Sequence, residues 1–390
     1  MLSRPRRAAP RGVGASWALA RLRRELPQRH RWGEVVSEAI LGRTLPLTEE
    51  DSRALCRDSL LLGGLEVSAV RLDGATLVTR AAVHLAPGSD ACVCIGAFDG
   101  LHRGHRRLLA HAVADARELS LPCVAVTFSP DPSDLLEGET PLSRLLEVRD
   151  RARGLLLLGA DAVLVLDFGE ELEHTSQEAF LRRMLPRLVR PRSVRVGTNF
   201  RFGDGGRGDL DSLRELGKRE GIAVHGEELL QEDGKTVSAT QIRALLRDGQ
   251  LERANALLAR PHFVRGTVAH GRGEGTSFGF PTANVQVPSV TCLPSDGVYA
   301  GYVVADRTAY PSAINVGAPP TFSGPRQSFL EANLLGFSGD LYGREVSVVF
   351  ARWLRASRPF PSTEELERAV LSNVDWVRTQ VGQHGVEVGE

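Results

Sequence analysis

Between residues 91 and 255, short apolar runs alternate with longer stretches whose apolar positions recur every three or four residues. The runs at 92–95, 123–128, 162–166 and 193–196, with a weaker one at 222–224, have the length and β-branched content of strands. The stretches at 106–119, 142–158, 176–188 and 209–220 have helical spacing. This alternation predicts a parallel sheet covered by helices on both faces, with ligands at the carboxyl ends of its strands. From 262 to 355 the helical period disappears. Strands are expected at 263–269, 284–287, 297–304, 312–316, 328–334 and 346–352, with turn residues between them, which reads as an antiparallel barrel. A closing helix is expected at 363–377, with Ser362 as its cap ahead of Glu364 and Glu365. The pattern changes near Arg260-Pro261, so an α/β domain is expected at 91–258 and a barrel domain at 262–390.

The chain ahead of residue 91 is less regular. Residues 1–30 are rich in arginine and alanine, with no acidic residue before Glu25. Such a start suits a transit peptide, an upstream start codon or a flexible tail. Pro5, Pro10, Gly12 and Gly14 would interrupt a long amphipathic helix, so a disordered tail is the expectation. Residues 31–90 read as short helices at 32–41 and 49–62 and strands at 65–70 and 75–85. The turn Asp73-Gly74 joins the strands. A small appendage is expected there, and no chemistry is assigned to it.

Composition narrows the classes of function. With 390 residues there is room for two or three domains. The formal net charge is zero, so no global basic field asks for nucleic acid. No run approaches the roughly 18 apolar residues needed to span a bilayer. The five cysteines are scattered, with neither zinc-ligand spacing nor a disulfide pattern. A cytoplasmic, reducing setting fits best.

The stretch that carries chemistry is 92–111, CVCIGAFDGLHRGHRRLLAH. A strand-like run breaks at Gly96, a polar turn follows at Phe98-Asp99-Gly100, and helical spacing begins after His102-Arg103-Gly104-His105. Free N–H groups and the positive dipole end make a helix start an anion site. Two histidines three residues apart share one helix face. Gly104 between them lets a ligand approach the backbone closely. Further on, Ser238 and Thr240 precede another helical stretch, a second helix start of the same kind, and Arg243 offers a fork that matches phosphate.

At these residues the chain resembles the prokaryotic bifunctional riboflavin kinase/FMN adenylyltransferase family (bacterial FAD synthetase), whose nucleotidylyltransferase core is His-x-Gly-His. Three further stretches resemble the same family. Val126-Thr127-Phe128-Ser129-Pro130-Asp131-Pro132 is similar to Thr-Phe-x-Pro-His-Pro, with Asp131 for histidine. Gly197-Thr198-Asn199-Phe200-Arg201-Phe202-Gly203 is similar to Gly-x-Asn/Asp-Phe-Arg-Phe-Gly. Val237-Ser238-Ala239-Thr240-Gln241-Ile242-Arg243 is similar to Ser-Ser-Thr-x-Ile-Arg, with Ala239 at the second serine. In the second half, Phe278-Gly279-Phe280-Pro281-Thr282-Ala283-Asn284 resembles the riboflavin kinase signature. Gly275-Thr276 stands where Gly-Arg is usual, and Glu331-x-Asn333 where Glu-x-His is usual.

The resemblance implies a nucleotidylyltransferase-type, Rossmann-like parallel-sheet domain followed by an antiparallel β-barrel riboflavin kinase domain with a C-terminal helix. It implies that riboflavin, FMN and ATP are the substrates and that Mg²⁺ assists. In the first domain His102, His105 and Arg243 would be catalytic. Gly96, Phe98, Asp99, Gly104, Ser238 and Thr240 would hold the nucleotide and its phosphates, and Phe128, Asn199 and Phe200 the flavin. In the second domain Glu331 would be the base for the ribityl hydroxyl, with Thr282 and Asn284 at the metal. The chain lacks a P-loop sequence. The departures at Asp131, Ala239, Thr276 and Asn333 keep two alternatives in view: a flavin- or nucleotide-binding regulatory protein with decayed sites, and a monofunctional FMN adenylyltransferase with a structural barrel.

Overall fold

The computed structural model describes residues 46–60, 65–81, 83–130, 143–270, 282–317 and 329–389. The expected tail at 1–30 and helix at 32–41 lie outside them. In chain order the first half comprises α1 (Glu49–Ser59), β1 (Val67–Leu72), β2 (Ala75–Arg80), β3 (Ser89–Ile95), α2 (Arg103–Glu118), β4 (Cys123–Ser129), α3 (Val148–Leu157), β5 (Ala162–Asp167), β6 (Val189–Gly197), α4 (Leu210–Glu220) and β7 (Ala223–Glu227). A helical stretch at 177–188, with a π-type turn at Phe180–Met184, links β5 to β6. A two-stranded ribbon, β8 (Gln231–Glu232) and β9 (Lys235–Thr236), leads to α5 (Ala239–Arg247) and α6 (Leu251–Leu258).

β3 lies near the middle of the first sheet. Residues 91–95 are all buried, as a strand covered on both faces requires. The sheet order is β1-β2-β5-β4-β3-β6-β7. Its five strands from β5 to β7 are parallel. The chain steps outward from β3 through β4 to β5, then returns to the far side of β3 for β6 and β7. That reversal puts a ligand crevice at the carboxyl ends of β3 and β6. α2 covers the sheet with Leu108, Leu109, Ala112, Val113 and Ala116, all on one face and all buried. Burying a leucine such as Leu109 is worth about 1.5–3 kcal/mol.

The second half is the expected barrel. β10 (His262–Ala269), β11 (Thr282–Gln286), β12 (Gly297–Ala305), β13 (Thr308–Gly317), β14 (Phe329–Leu334) and β15 (Glu345–Ala356) close in the order β10-β11-β14-β13-β12-β15, every neighbour antiparallel. Val268, Val285, Val303, Ile314, Leu330 and Phe350 fill its interior. At Gly301 a Cβ would fall 1.8 Å from the Val349 carbonyl oxygen, so only glycine fits where β12 and β15 approach at a register shift. α7 (Thr363–Gln380) closes the chain, capped by Ser362 as expected; a short β16 (Val386–Glu387) pairs with β13.

Two expectations need correction. The helix expected at 142–158 starts only at Val148, because 143–147 is used in tertiary contacts: Arg144 forms a bridge with Thr291 in the barrel half. Residues 46–80 are not a separate appendage. The Asp73-Gly74 hairpin forms as expected, but β2 pairs with β5 and extends the sheet. α1 lies against the barrel half, where Leu47 N–H donates to Gln380 O, Arg53 Nε to Glu387 O, and the Tyr302 hydroxyl to Ser52 Oγ.

Candidate active sites

The first site begins where β3 ends. Gly96 N–H donates to Val126 O at 3.1 Å, keeping β3 and β4 together to their tips. Phe98 takes a left-handed conformation (φ 56°) with its ring fully buried, so it shapes the turn from beneath. His102 caps α2: its Nδ1 accepts the His105 backbone N–H at 3.4 Å. An accepting Nδ1 puts the neutral ring's proton on Nε2. The His102 and His105 rings are stacked, 3.6 Å apart at 20°, and Phe98 meets His105 edge-on at 5.3 Å. Burial pushes His102 down to about 4. His105 is held well below the usual histidine range, by burial first and then by His102 and Arg151. The pair is therefore neutral near pH 7, and among the described residues His105 Nδ1 is buried without a protein partner.

A second helix start abuts the first. A Cβ on Gly104 would lie 3.2 Å from the His102 ring and 3.7 Å from Val237 O, so α2 and the entry to α5 nearly touch. Ser238 Oγ caps α5 by accepting Gln241 N–H, and Thr240 is exposed in the first turn. Ala239 occupies the first helical position, directly after the Ser238 cap. One turn on, Arg243 donates from Nε to Ser143 O at 2.6 Å and from Nη2 to Asp99 Oδ2 at 2.7 Å. Two donor-rich helix ends and a guanidinium thus converge beside two neutral imidazoles.

The residues expected at the flavin are spread around the crevice. Asn199 is exposed just past β6, and a Cβ on Gly197 would sit 3.0 Å from its Oδ1. Phe200 stacks on Phe202 at 5.4 Å. Phe128, at the end of β4, is buried and meets Phe168 edge-on at 5.9 Å. β3 separates β4 from β6, so Phe128 on β4 and Phe200 in the segment after β6 come from opposite sides of β3. Asp131 lies outside the described residues.

Sequence reasoning missed two arginines. Arg151 on α3 is fully buried, and its Nη1 donates to Ala97 O at 2.7 Å, with Thr127 Oγ1 at 3.3 Å and Phe128 O at 3.4 Å. It ties the tips of β3 and β4 together beneath His105. The available signal was its place on the apolar face of a helix, with Leu155 one turn on. Arg260, also fully buried, donates to Gly100 O at 3.0 Å, and burial lowers it to about 9. Nothing in the pattern near Pro261 marked it.

The second site lies on one outer face of the barrel. Glu331 is the register partner of Asn284 on β11 and of Asn315 on β13; Asn333 is the partner of Thr282. Leu330 and Ala332 alternate into the interior, so Glu331 and Asn333 stand on the polar side, half-buried. Among the described residues, Asn284 Oδ1 is buried without a hydrogen-bond partner. Asp340 sits instead in an exposed turn, accepting Tyr342 N–H at 2.8 Å. The stretches containing Gly275, Thr276, Phe278 and Pro281 lie outside the described residues.

Comparison with known proteins fits both halves. Residues 86–241 match the FAD synthetase family model and residues 258–381 the riboflavin kinase model. A bifunctional riboflavin kinase/FMN adenylyltransferase of Pseudomonas fluorescens is 37% identical over 76% of this chain and 95% of its own length. That of Escherichia coli K12 is 35% identical over 73% of this chain and 91% of its own. The chain belongs to the bifunctional riboflavin kinase/FMN adenylyltransferase family. It is a transferase with a nucleotidyl-transfer half and a kinase half, as the family resemblance implied. A crystal structure described as a macrolide-efflux protein from Streptococcus pneumoniae has a TM-score of 0.67 at 29% identity, covering 74% of this chain and 94% of that one. Among the described residues here, no helix is long and apolar enough to cross a membrane.

Proposed function

We propose that FMN is adenylylated at the convergence of α2 and α5, and that riboflavin is phosphorylated on the Glu331 face of the barrel. The observation that carries the first assignment is the stacked neutral pair His102–His105 beside two capped helix starts and Arg243. In this site an FMN phosphate oxygen attacks the α-phosphorus of ATP, and the bond to pyrophosphate breaks. The protein positions the groups and stabilises charge that builds on the phosphate oxygens. Nε2–H of His102 and the free N–H groups of α2 and α5 are the donors; Arg243 holds the departing phosphates. Asn199, Phe128 and Phe200 receive the flavin.

In the barrel the ribityl 5′-hydroxyl attacks the γ-phosphorus, its proton passes to Glu331, and ADP leaves. The buried, unpartnered Asn284 Oδ1 beside Thr282 suits a hard cation, which takes oxygen ligands and keeps several waters. Thr282 and Asn284 would hold Mg²⁺, which when bound supplies positive charge to the phosphate oxygens. ATP, riboflavin and FMN suffice as substrates, with no call on nucleic acid or a membrane. Five free, buried cysteines support a cytoplasmic setting.

Product analysis with riboflavin, ATP and Mg²⁺ tests the division. The full chain yields FMN and then FAD. A His102/His105 double alanine variant that still makes FAD at the normal rate, or a Glu331→Gln variant that still makes FMN, would refute the corresponding half.

A further inference from the structure

The family resemblance makes Asp99 a nucleotide contact, yet its side chain is turned inward and only 3% of the residue is exposed. Every hydrogen bond described for it is one it accepts from the protein. Both oxygens accept Leu145 N–H at 3.1 Å, Oδ1 accepts Leu146 N–H at 2.9 Å, and Oδ2 accepts Arg243 Nη2–H at 2.7 Å. The same strip of backbone supplies Ser143 O to Arg243 Nε. Two fixed acceptors therefore grip one edge of the guanidinium. Among the described residues its Nη1 has no protein partner, so that corner is left for a ligand.

We propose that Asp99 is a positioning residue for adenylyl transfer: it orients the Arg243 fork toward phosphate and does not itself bind the nucleotide. The proposal rests on the reading that Arg243 meets phosphate. The clamp is seated on the other half of the chain. Arg144 N–H donates to Val290 O at 2.6 Å, and Cys292 N–H donates to Arg144 O at 2.9 Å. Val290 and Cys292 follow β11, the strand that carries Thr282 and Asn284. The kinase half thus supports the arginine of the other reaction.

The chemistry of an amide gives the test. Every partner of Asp99 is a donor, so Asp99→Asn must aim an NH₂ group at one of them and also loses the charge that faces Arg243. In the full chain, kcat/KM for FMN adenylylation is expected to fall roughly 10–100-fold, the range for a misplaced catalytic group. Riboflavin phosphorylation in the same sample should stay within about twofold and reports folding. Because Asp99 acts through Arg243, the double variant Asp99→Asn/Arg243→Ala should be no slower than Arg243→Ala alone. Added guanidinium should restore part of the adenylylation of Arg243→Ala but not of the double variant.

Wild-type adenylylation by Asp99→Asn overturns the proposal, as does a double variant slower than Arg243→Ala by the full Asp99→Asn factor. Wild-type adenylylation by Arg243→Ala refutes the underlying reading of Arg243 instead. If Asp99→Asn also loses kinase activity, Asp99→Glu takes its place. It keeps the charge on a side chain one methylene longer. Retained kinase activity with weakened adenylylation supports the clamp, and unchanged adenylylation overturns it.

Discussion

Asp150 on α3 and Arg265 on β10 meet between the sheet and the barrel as a forked pair: Arg265 Nη2 donates to Asp150 Oδ1 at 2.7 Å and Nε to Oδ2 at 2.9 Å. The side chains are 4% and 18% exposed, and Arg265 Nη1 also donates to Ser347 Oγ. Removing one member leaves the other charge buried without its counterpart. Asp150→Ala should destabilise the chain by about 3–5 kcal/mol, while Asp150→Leu with Arg265→Met should recover much of that loss. Urea unfolding followed by both activities measures it. A single variant within about 1 kcal/mol of wild type would show that the pair does not fasten the two halves.

The histidine pair makes a sharper prediction about rate. His102→Ala should slow FAD formation from FMN by about 10²–10³, the usual effect of losing one preorganised donor, and His105→Ala, which removes the ring stacked on His102, should slow it as well. Riboflavin phosphorylation should be unchanged, since Glu331 and Asn284 lie on the barrel. Separate assays with FMN and with riboflavin distinguish the two, and equal losses in both would point to misfolding rather than chemistry.

Glu331→Gln preserves shape but cannot take the ribityl proton. Its kcat for FMN formation should fall by roughly 10²–10⁴. FAD formation from supplied FMN should persist. Asp340→Asn, in its exposed turn, should leave both reactions alone; if it abolishes phosphorylation while Glu331→Gln does not, the base has been misassigned.

Acid should destabilise the fold through histidines buried in neutral form. His102 and His262 are each pushed down by burial to about 4, while an unfolded histidine titrates near 6.5. Between these values the unfolded chain binds more protons, so stability rises with pH. The contribution is complete above about pH 6.5 and is lost as pH falls toward 4, on the order of 3 kcal/mol for each histidine. His102→Asn keeps an N-cap side chain and removes one titration. Its melting temperature should fall less steeply between pH 6.5 and 4 than that of wild type. Parallel curves would mean that His102 is not held neutral.

The elements best seen in the sequence were those whose apolar period and burial agree. β3 reads as a continuous apolar run because both its faces are covered, and α2 reads as a helix because Leu108, Leu109 and Val113 fall on one side. Glu331 was singled out by the family resemblance, and alternation along β14 agrees with its place on the polar face. Failure came where backbone is recruited by distant partners. Leu145 and Leu146 look helical, but their N–H groups serve Asp99 nearly fifty positions earlier, and no local pattern records that. Arg151 and Arg260 were overlooked for a similar reason: a charged side chain is ordinarily solvated, and only the fold reveals carbonyl oxygens waiting for it.

The β1–β2 hairpin has a consequence for how the chain behaves in solution. The family match begins at residue 86, after β2, so a chain trimmed to that match would lose the partner of β5. The backbone of Ala-Val-Leu-Val-Leu at 162–166 would then be an open, apolar strand edge, a template on which a second molecule could add a strand. In the full chain β2 occupies that edge, and the outermost strand, β1, carries Arg71 in an ion pair with Asp167. The hairpin thus covers the apolar edge of β5. Its removal should appear as concentration-dependent light scattering before any change in either catalytic step.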